Sequence, residues 1–404
     1  METMLKLAAE NAEVGKIEFP NLWNGSLAID RVAFNLFGID IYWYGIIIAL
    51  GVILAFIYAM KRCKSFGLIA DHVFDVVFVA IIAGFIGARA YYCIFINAEI
   101  NFFDLRNGGL AIYGGIILAA IAAAVMCVVR KVKLPTLFDL GGLGLLIGQC
   151  IGRWGNFVNQ EAYGAPTAGG LPWGMTGTAI IQDPQVVAKQ EELFEQGSDL
   201  YALVHPCFLY ESLWCLLGFL FLHFYSKKLR TFDGEIFLLY VLWYGAGRAW
   251  IEGLRTDSLY IGDFRVSQLV AIISAAVALI LFIYFKITKG KNKDYVLYKD
   301  SDLCAERLAA YETKMMVQAE KEKAKKAMRE AEKTAPSILA DDIDDVDIDD
   351  GELKAAAEQH EPSESPEPAD DEEKNTEVEE AADAEAAEEE STDPHDTASE
   401  TEEE

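Results

Sequence analysis

Seven apolar stretches, each long enough to cross a bilayer, most limit what this chain can become. A membrane-spanning helix needs ~20 mostly apolar residues. Segments at approximately 41–60, 72–96, 110–129, 137–153, 206–225, 234–251 and 266–285 qualify. Within lipid, backbone N–H and C=O groups have to be satisfied by the segment itself, so such runs become helices. The expected fold is all-α: a polytopic membrane protein with about seven transmembrane helices. Residues 1–40 show no basic stretch followed by an apolar one, so no cleaved signal peptide is expected.

Basic residues orient the spans. Lys61, Arg62 and Lys64 follow the first, Arg130, Lys131 and Lys133 the third. Lys227, Lys228 and Arg230 follow the fifth, and Lys286, Lys289, Lys291 and Lys293 the seventh. Because such residues collect on the cytoplasmic side, the N-terminus is expected outside and the C-terminus in the cytoplasm. The longest outer connection, about 154–205, is polar and carries a helix-like stretch near Val186–Gln196. Long connections of this kind often carry function.

The net charge of −28 is segregated. Residues 1–290 hold 21 basic and 23 acidic side chains, whereas 291–404 hold 13 and 39. Four regions follow: an N-terminal extracytoplasmic segment (1–40), a seven-helix domain (41–286), a cytoplasmic charged helical segment (287–334) and an acidic disordered tail (335–404). If the extension is merely appended, deletion after about residue 295 preserves function. The seven cysteines lie mostly in apolar runs, without CxxC pairs or close histidines, and read as small buried hydrophobes.

Charges inside the spans need a reason, since each costs at least ~2.5 kcal/mol at a helix centre. Arg89 lies in the second span, Asp139 near the start of the fourth and Arg153 at its outer end. Glu211 lies in the fifth; Arg248, Glu252 and Arg255 lie at the outer end of the sixth. A single arginine can snorkel to the headgroups. The last three, spaced i, i+4 and i+7, share one helical face that should meet protein or a wet cavity. Asp139 reads as a helix cap. Gly144, Gly148 and Gly152 form a ridge that lets another helix approach closely.

Residues 152–164 then place Arg153, Asn156, Asn159, Glu161 and Gly164 together at a membrane surface. Arginine can fork onto a phosphate, asparagine can donate to phosphate or glycerol oxygens, and glycine lets backbone approach a ligand. The stretch suits a headgroup pocket for an anionic lipid of the outer leaflet. A transporter would instead show paired polar residues at the midplane or broken helices in related repeats. An intramembrane protease would need a Ser/His, Asp/Asp or HExxH arrangement. Neither pattern is evident.

Gly-Arg-x-Gly-Asn-Phe-x-Asn-x-Glu, residues 152–161, resembles the signature of the prolipoprotein diacylglyceryl transferase family. Other segments agree in order: Trp43-Tyr44-Gly45, residues 87–92 around Arg89, and the Gly-rich residues 108–115. His205-Pro206 with Tyr210-Glu211, and Tyr244-Gly245-x-Gly247-Arg248-x-x-x-Glu252-x-x-Arg255, complete the set. The resemblance covers approximately residues 20–286. One departure is Tyr113, where many members carry histidine.

The resemblance implies transfer of a diacylglyceryl group from phosphatidylglycerol to the lipobox cysteine thiol of prolipoproteins. A thioether forms and glycerol 1-phosphate leaves, as the first step of bacterial lipoprotein maturation. It implies no metal or organic cofactor and no nucleic acid. The partners are phosphatidylglycerol, prolipoprotein signal peptides and membrane lipids. The expected location is the bacterial cytoplasmic membrane, with the active site toward the outer leaflet. On this reading Arg153 and Arg248 hold the phosphate, and Asn156 and Asn159 orient the headgroup. Gly164, Arg255, Arg89 and His205 join the substrate site. Glu161, His205, Tyr44, Tyr113 and Glu252 stay open as proton acceptors or orienting groups, Glu252 being also a partner for Arg248 or Arg255.

Overall fold

The computed structural model describes residues 15–96, 102–103, 109–167, 170–196, 202–256, 260–262 and 264–334. One compact unit runs to Ala324; of a second, from Lys325, the described part is the end of the last helix. Long helices stand at all seven expected places. They are α1 (Trp43–Arg62), α2 (Ala70–Tyr91), α3 (Ile112–Val129) and α4 (Leu134–Asn159). A short α5 (Pro184–Glu195) lies in the long connection, before α6 (Cys207–Lys228), α7 (Glu235–Glu252) and α8 (Val266–Thr288). Last comes α9 (Asp302–Thr334).

Six of these helices are long and apolar enough to cross a membrane. α7 is not among them, because Glu235, Arg248 and Glu252 lie within its 18 residues. A helix with three charges is a poor neighbour for lipid; α7 packs instead on α4, α6 and α8. The other helices turn large apolar side chains outward, such as Ile116, Ile117 and Ile121 on α3 and Ile273, Val277 and Ile280 on α8.

Glycine sets the closest helix contacts. The 144/148/152 ridge of α4 faces Ala55, Gly51 and Ile48 of an antiparallel α1. A Cβ on Gly51 would lie 3.3 Å from the Gly148 carbonyl. α2 and α3 meet more tightly, with a Cβ on Gly87 reaching 2.4 Å from the Gly114 carbonyl. No side chain fits there without parting the two helices.

Three expectations need correction. The fold is mostly helical but not all-α. Before α1, β1 (Lys16–Phe19) and β2 (Trp23–Ala28) pair antiparallel, as do β3 (Val32–Leu36) and β4 (Ile39–Tyr42). Phe37 and Gly38, both at positive φ, make the two-residue turn that matches strand twist. The long connection adds β5 (Pro166–Thr167), β6 (Thr176–Gly177), which pairs with β1, and β7 (Leu203–Val204), which pairs with β5. β8 (Tyr260–Ile261) and β9 (Phe264–Arg265) form one more pair.

Asp139 does not begin its own helix. It sits inside α4, fully buried, and accepts from the Gly234 and Phe237 amides at 2.9 and 3.0 Å. It caps α7 from a neighbouring helix, satisfying N–H groups that a helix start leaves orphaned.

The segment after residue 295 is not merely appended. Tyr298 and Cys304 belong to the main core with Phe66, Leu68 and Val73. The Tyr298 amide and the Tyr295 hydroxyl donate to one oxygen of Asp233, at 3.0 and 3.1 Å. Arg307 donates to the Lys131 carbonyl at 2.6 Å, and the Tyr311 hydroxyl donates to Asp71. The expected disordered tail, 335–404, lies outside the described residues.

Candidate functional site

Arg153 sits six residues before the end of α4, with Arg248 and Glu252 in the last turns of α7 and Glu211 in the second turn of α6. These helix ends meet on one side of the bundle. Glu211 is their common point, its side chain 5% exposed. Arg153 pairs with one carboxylate oxygen. Arg248 donates to the other at 3.1 Å, and Arg255 approaches that oxygen at 3.6 Å. The second guanidinium nitrogen of Arg248 lies 2.6 Å from Glu252, which is buried.

Among the described residues, three guanidinium groups thus gather around Glu211 and Glu252. The acids are nearly closed off, while the arginine side chains keep 20%, 16% and 11% of their surface for Arg153, Arg248 and Arg255. In such partly dry surroundings charge–charge energies are several times those in water. An anion that reached these faces would meet more than one guanidinium group at once.

Arg255 differs from its expected placement. α7 ends at Glu252, so Arg255 follows the helix rather than continuing its face. Its backbone bridges antiparallel to Gly164. The Gly164 amide donates to the His205 carbonyl at 2.8 Å, and the Ala165 amide to the Leu254 carbonyl at 2.6 Å. A Cβ on Gly164 would lie 2.7 Å from the His205 Cβ. Gly164 is therefore the point where loop, α6 entrance and α7 exit close on each other. Burial lowers the His205 pKa from its ordinary 6.5. Its Nδ1 lies 3.2 Å from the Tyr210 hydroxyl, which also accepts from the Trp173 indole at 2.6 Å.

The amides and Glu161 form the outer rim. Arg153 donates to the Asn156 carbonyl oxygen at 3.4 Å. Asn156 and Asn159 donate to one oxygen of Glu161 at 2.9 and 3.3 Å, and Glu161 is exposed. The turn that presents Glu161 is strained: Gln160 and Ala162 both have positive φ, at 51° and 57°. That conformation costs a non-glycine residue roughly 1–2 kcal/mol. Gln160 is anchored in return, its side-chain oxygen accepting from the Ala179 amide at 2.9 Å. Strain held in place beside a charged cluster is typical of functional sites.

Tyr44 lies over this end of α4, with a Cβ on Gly155 reaching 2.7 Å from its ring. Arg89 and Tyr113 belong to the α2–α3 hairpin instead. Arg89 is buried and donates to the Phe102 and Gly109 carbonyls, both at 2.9 Å, holding the connection before α3. Tyr113 is half exposed, in the first turn of α3.

Sequence reasoning gave no role to Glu211, the residue on which the arginines converge. A lone acid inside an apolar span was the available signal, since it demands cationic partners. Ser212 was also missed. Its hydroxyl accepts from the Trp154 indole at 3.2 Å and donates to the Cys150 carbonyl at 2.8 Å, tying α6 to α4 beside Arg153. Below Arg153 an apolar groove of about 380 Å³ runs between α1, α4 and α6, lined by Leu54, Ile57, Ile151 and Phe219 among others.

Residues 31–284 match the family model described as prolipoprotein diacylglyceryl transferase. A phosphatidylglycerol–prolipoprotein diacylglyceryl transferase of Finegoldia magna is 43% identical over 275 residues, covering 66% of this chain and all of that relative. One from Clostridioides difficile is 37% identical over 269 residues, covering 65% and 98%. One from Staphylococcus haemolyticus is 37% identical over 279 residues, covering 68% and 93%. The matched range contains every member of the arginine cluster and ends before α9.

Proposed function

The chain belongs to the prolipoprotein diacylglyceryl transferase family, and from that premise we propose that the Arg153–Glu211–Arg248 cluster is where it grips phosphatidylglycerol. It is a multi-pass membrane transferase that moves a diacylglyceryl group from phosphatidylglycerol to a prolipoprotein. The acceptor is the thiol of a lipobox cysteine. The sulfur attacks the glycerol carbon that bears the phosphate. The C–S bond forms as the C–O bond breaks, and glycerol 1-phosphate leaves. A phosphodiester with one negative charge becomes a monoester with up to two.

The observation that carries this reading is the convergence of three partly open arginines on Glu211 at one end of the bundle. As the C–O bond breaks, charge grows on the departing phosphate, and guanidinium forks aimed there strengthen in the transition state more than in the ground state. The same arginines favour the substrate thiolate over its thiol, whose ordinary pKa is ~8.5. Asn156 and Asn159 orient the headgroup, and an acyl chain follows the groove below Arg153. Glu161, exposed at the rim, and His205, held toward its neutral form, are the nearest candidates to take the thiol proton. Arg89 acts at a distance, by fixing the hairpin that carries Tyr113.

On this reading α7 is a seventh span shielded by its neighbours. The N-terminus is outside, the α9 end faces the cytoplasm, and the arginines face the outer leaflet of the bacterial cytoplasmic membrane. The test is an assay of the purified protein with phosphatidylglycerol and a lipobox peptide. Thioether-linked diacylglyceryl peptide and released glycerol 1-phosphate are expected. A folded enzyme that yields neither with both substrates present refutes the assignment.

A further inference from the structure

A polar cavity of about 510 Å³ lies at the opposite end of the bundle from the Arg153–Glu211–Arg248 cluster. Its walls are the start of α2, the turn between α3 and α4, and one face of α9. Arg130 and Lys131 come from the turn, Arg307 and Lys314 from α9, and Asp71 and Asp75 from α2. Four cations thus face two carboxylates.

Both carboxylates are already engaged. Asp75 pairs with Arg130, and Asp71 accepts from the Tyr311 hydroxyl. Arg307 is held by the Lys131 carbonyl at 2.6 Å. Among the described residues, no carboxylate lies within 4 Å of the Lys131 or Lys314 ammonium group. The first turn of α2 adds backbone donors beside Asp71. Its N-cap, Ile69, offers no side-chain cap, and Ile69 lines the cavity. An uncapped helix start presents free N–H groups and the positive end of the helix dipole.

The surroundings choose the kind of anion. α2 begins and α3 ends here, both apolar enough to span a membrane. Phe74, Val128 and Val129, nearby in sequence, are 47%, 79% and 64% exposed, and Leu68, Val132 and Met315 line the cavity wall. A cationic cup with an apolar lip, at the depth where helices leave the membrane, suits a phosphate that carries acyl chains. We propose that this cavity binds the phosphate headgroup of an anionic phospholipid in the leaflet on the α9 side. Half of its cations come from α9, beyond the residues that match the family, so the site is an addition carried by this chain's own extension.

The test uses the full-length protein in phosphatidylcholine nanodiscs with a phosphatidic acid bearing a photoreactive acyl chain. Peptides spanning 68–75, 128–132 and 307–318 should be labelled, and unlabelled phosphatidic acid should compete where extra phosphatidylcholine does not. A basic residue near an anionic lipid is worth about fivefold in affinity, so Lys131→Gln with Lys314→Gln should weaken labelling there by roughly 25-fold. Both lysines are exposed and their replacement leaves the core intact. Labelling near Arg153 should not change. Equal labelling in the double variant, or competition by phosphatidylcholine, overturns the site. Equal competition by inorganic phosphate at the same concentration would make the occupant a soluble phosphate compound and overturn the lipid assignment.

Discussion

The two ends of α4 carry buried charge clusters that are built in opposite ways. Around Asp139 the account balances: Arg230, Lys133 and Lys286 face Asp139, Asp233 and Glu235. The three acid side chains are at most 1% exposed. Each also takes hydrogen bonds from backbone amides: Gly234 and Phe237 on Asp139, Tyr298 on Asp233, Thr231 on Glu235. These carboxylates stitch one stretch of chain to another. Around Glu211 the cations are partly open, and among the described residues Glu211 is met by guanidinium groups alone. The first arrangement is closed off in the core, whereas the second leaves its guanidinium groups partly open.

The comparison breaks most visibly through the arginines. Arg153→Ala and Arg248→Ala should each cut transfer by at least about 10²–10³-fold, the effect of losing one preorganised donor to developing charge. Arg→Lys should lose much of the same activity, because an ammonium cannot fork. Both are measured as thioether product per folded, membrane-inserted enzyme; near-normal turnover in either alanine variant removes that residue from the site.

At the balanced end the loss should fall on stability. Asp139→Ala leaves α7 uncapped and Arg230 short of a partner, and removing one member of a buried pair costs about 3–5 kcal/mol. Thermal unfolding in detergent should show it, while the surviving folded enzyme turns over normally. A catalytic defect at unchanged stability would erase the distinction between the ends.

Truncation sharpens it further. A chain ending at residue 334 keeps every described contact and should match the full-length protein. One ending at 294 removes the Tyr295 and Tyr298 donors from Asp233 and should lose about 1–3 kcal/mol of stability. Identical unfolding curves for the two truncations would mean α9 is mere baggage.

The smallest effect concerns pH. Burial holds the folded-state pKa of His205 below 6.5, so its contribution to stability is complete above that value and shrinks as pH falls through the lower folded value. His205→Gln should flatten this acid limb of the melting curve. An unaltered limb assigns the acid sensitivity elsewhere.

Legibility followed from which forces are local. Hydrophobic runs located the seven long apolar helices because lipid admits few alternatives. The Gly144/Gly148/Gly152 ridge was visible because close packing has a periodic signature, yet its partner, α1, was not. The docking of α9 was hidden for the same reason: Tyr298 and Cys304 are two buried side chains in a polar stretch, too few to make a pattern. The strand pairs before α1 are local, β1 with β2 and β3 with β4, and escaped because runs of four to six residues are too short to stand out. Only the addition of β6 to β1, some 160 positions away, was hidden by distance.

By itself, the sequence determined a helical membrane body, the family motifs and the few charges that lipid would not tolerate. Only tertiary structure decided which of those charges meet. Three arginines from two helices and a turn became one cluster because Glu211, on a third helix, draws them together. Arg89 belongs to the α2–α3 hairpin, where it donates to the Phe102 and Gly109 carbonyls. The physical reason is that an ionic contact is set by where helix ends arrive in space, which depends on packing between segments distant in the chain rather than on any local preference.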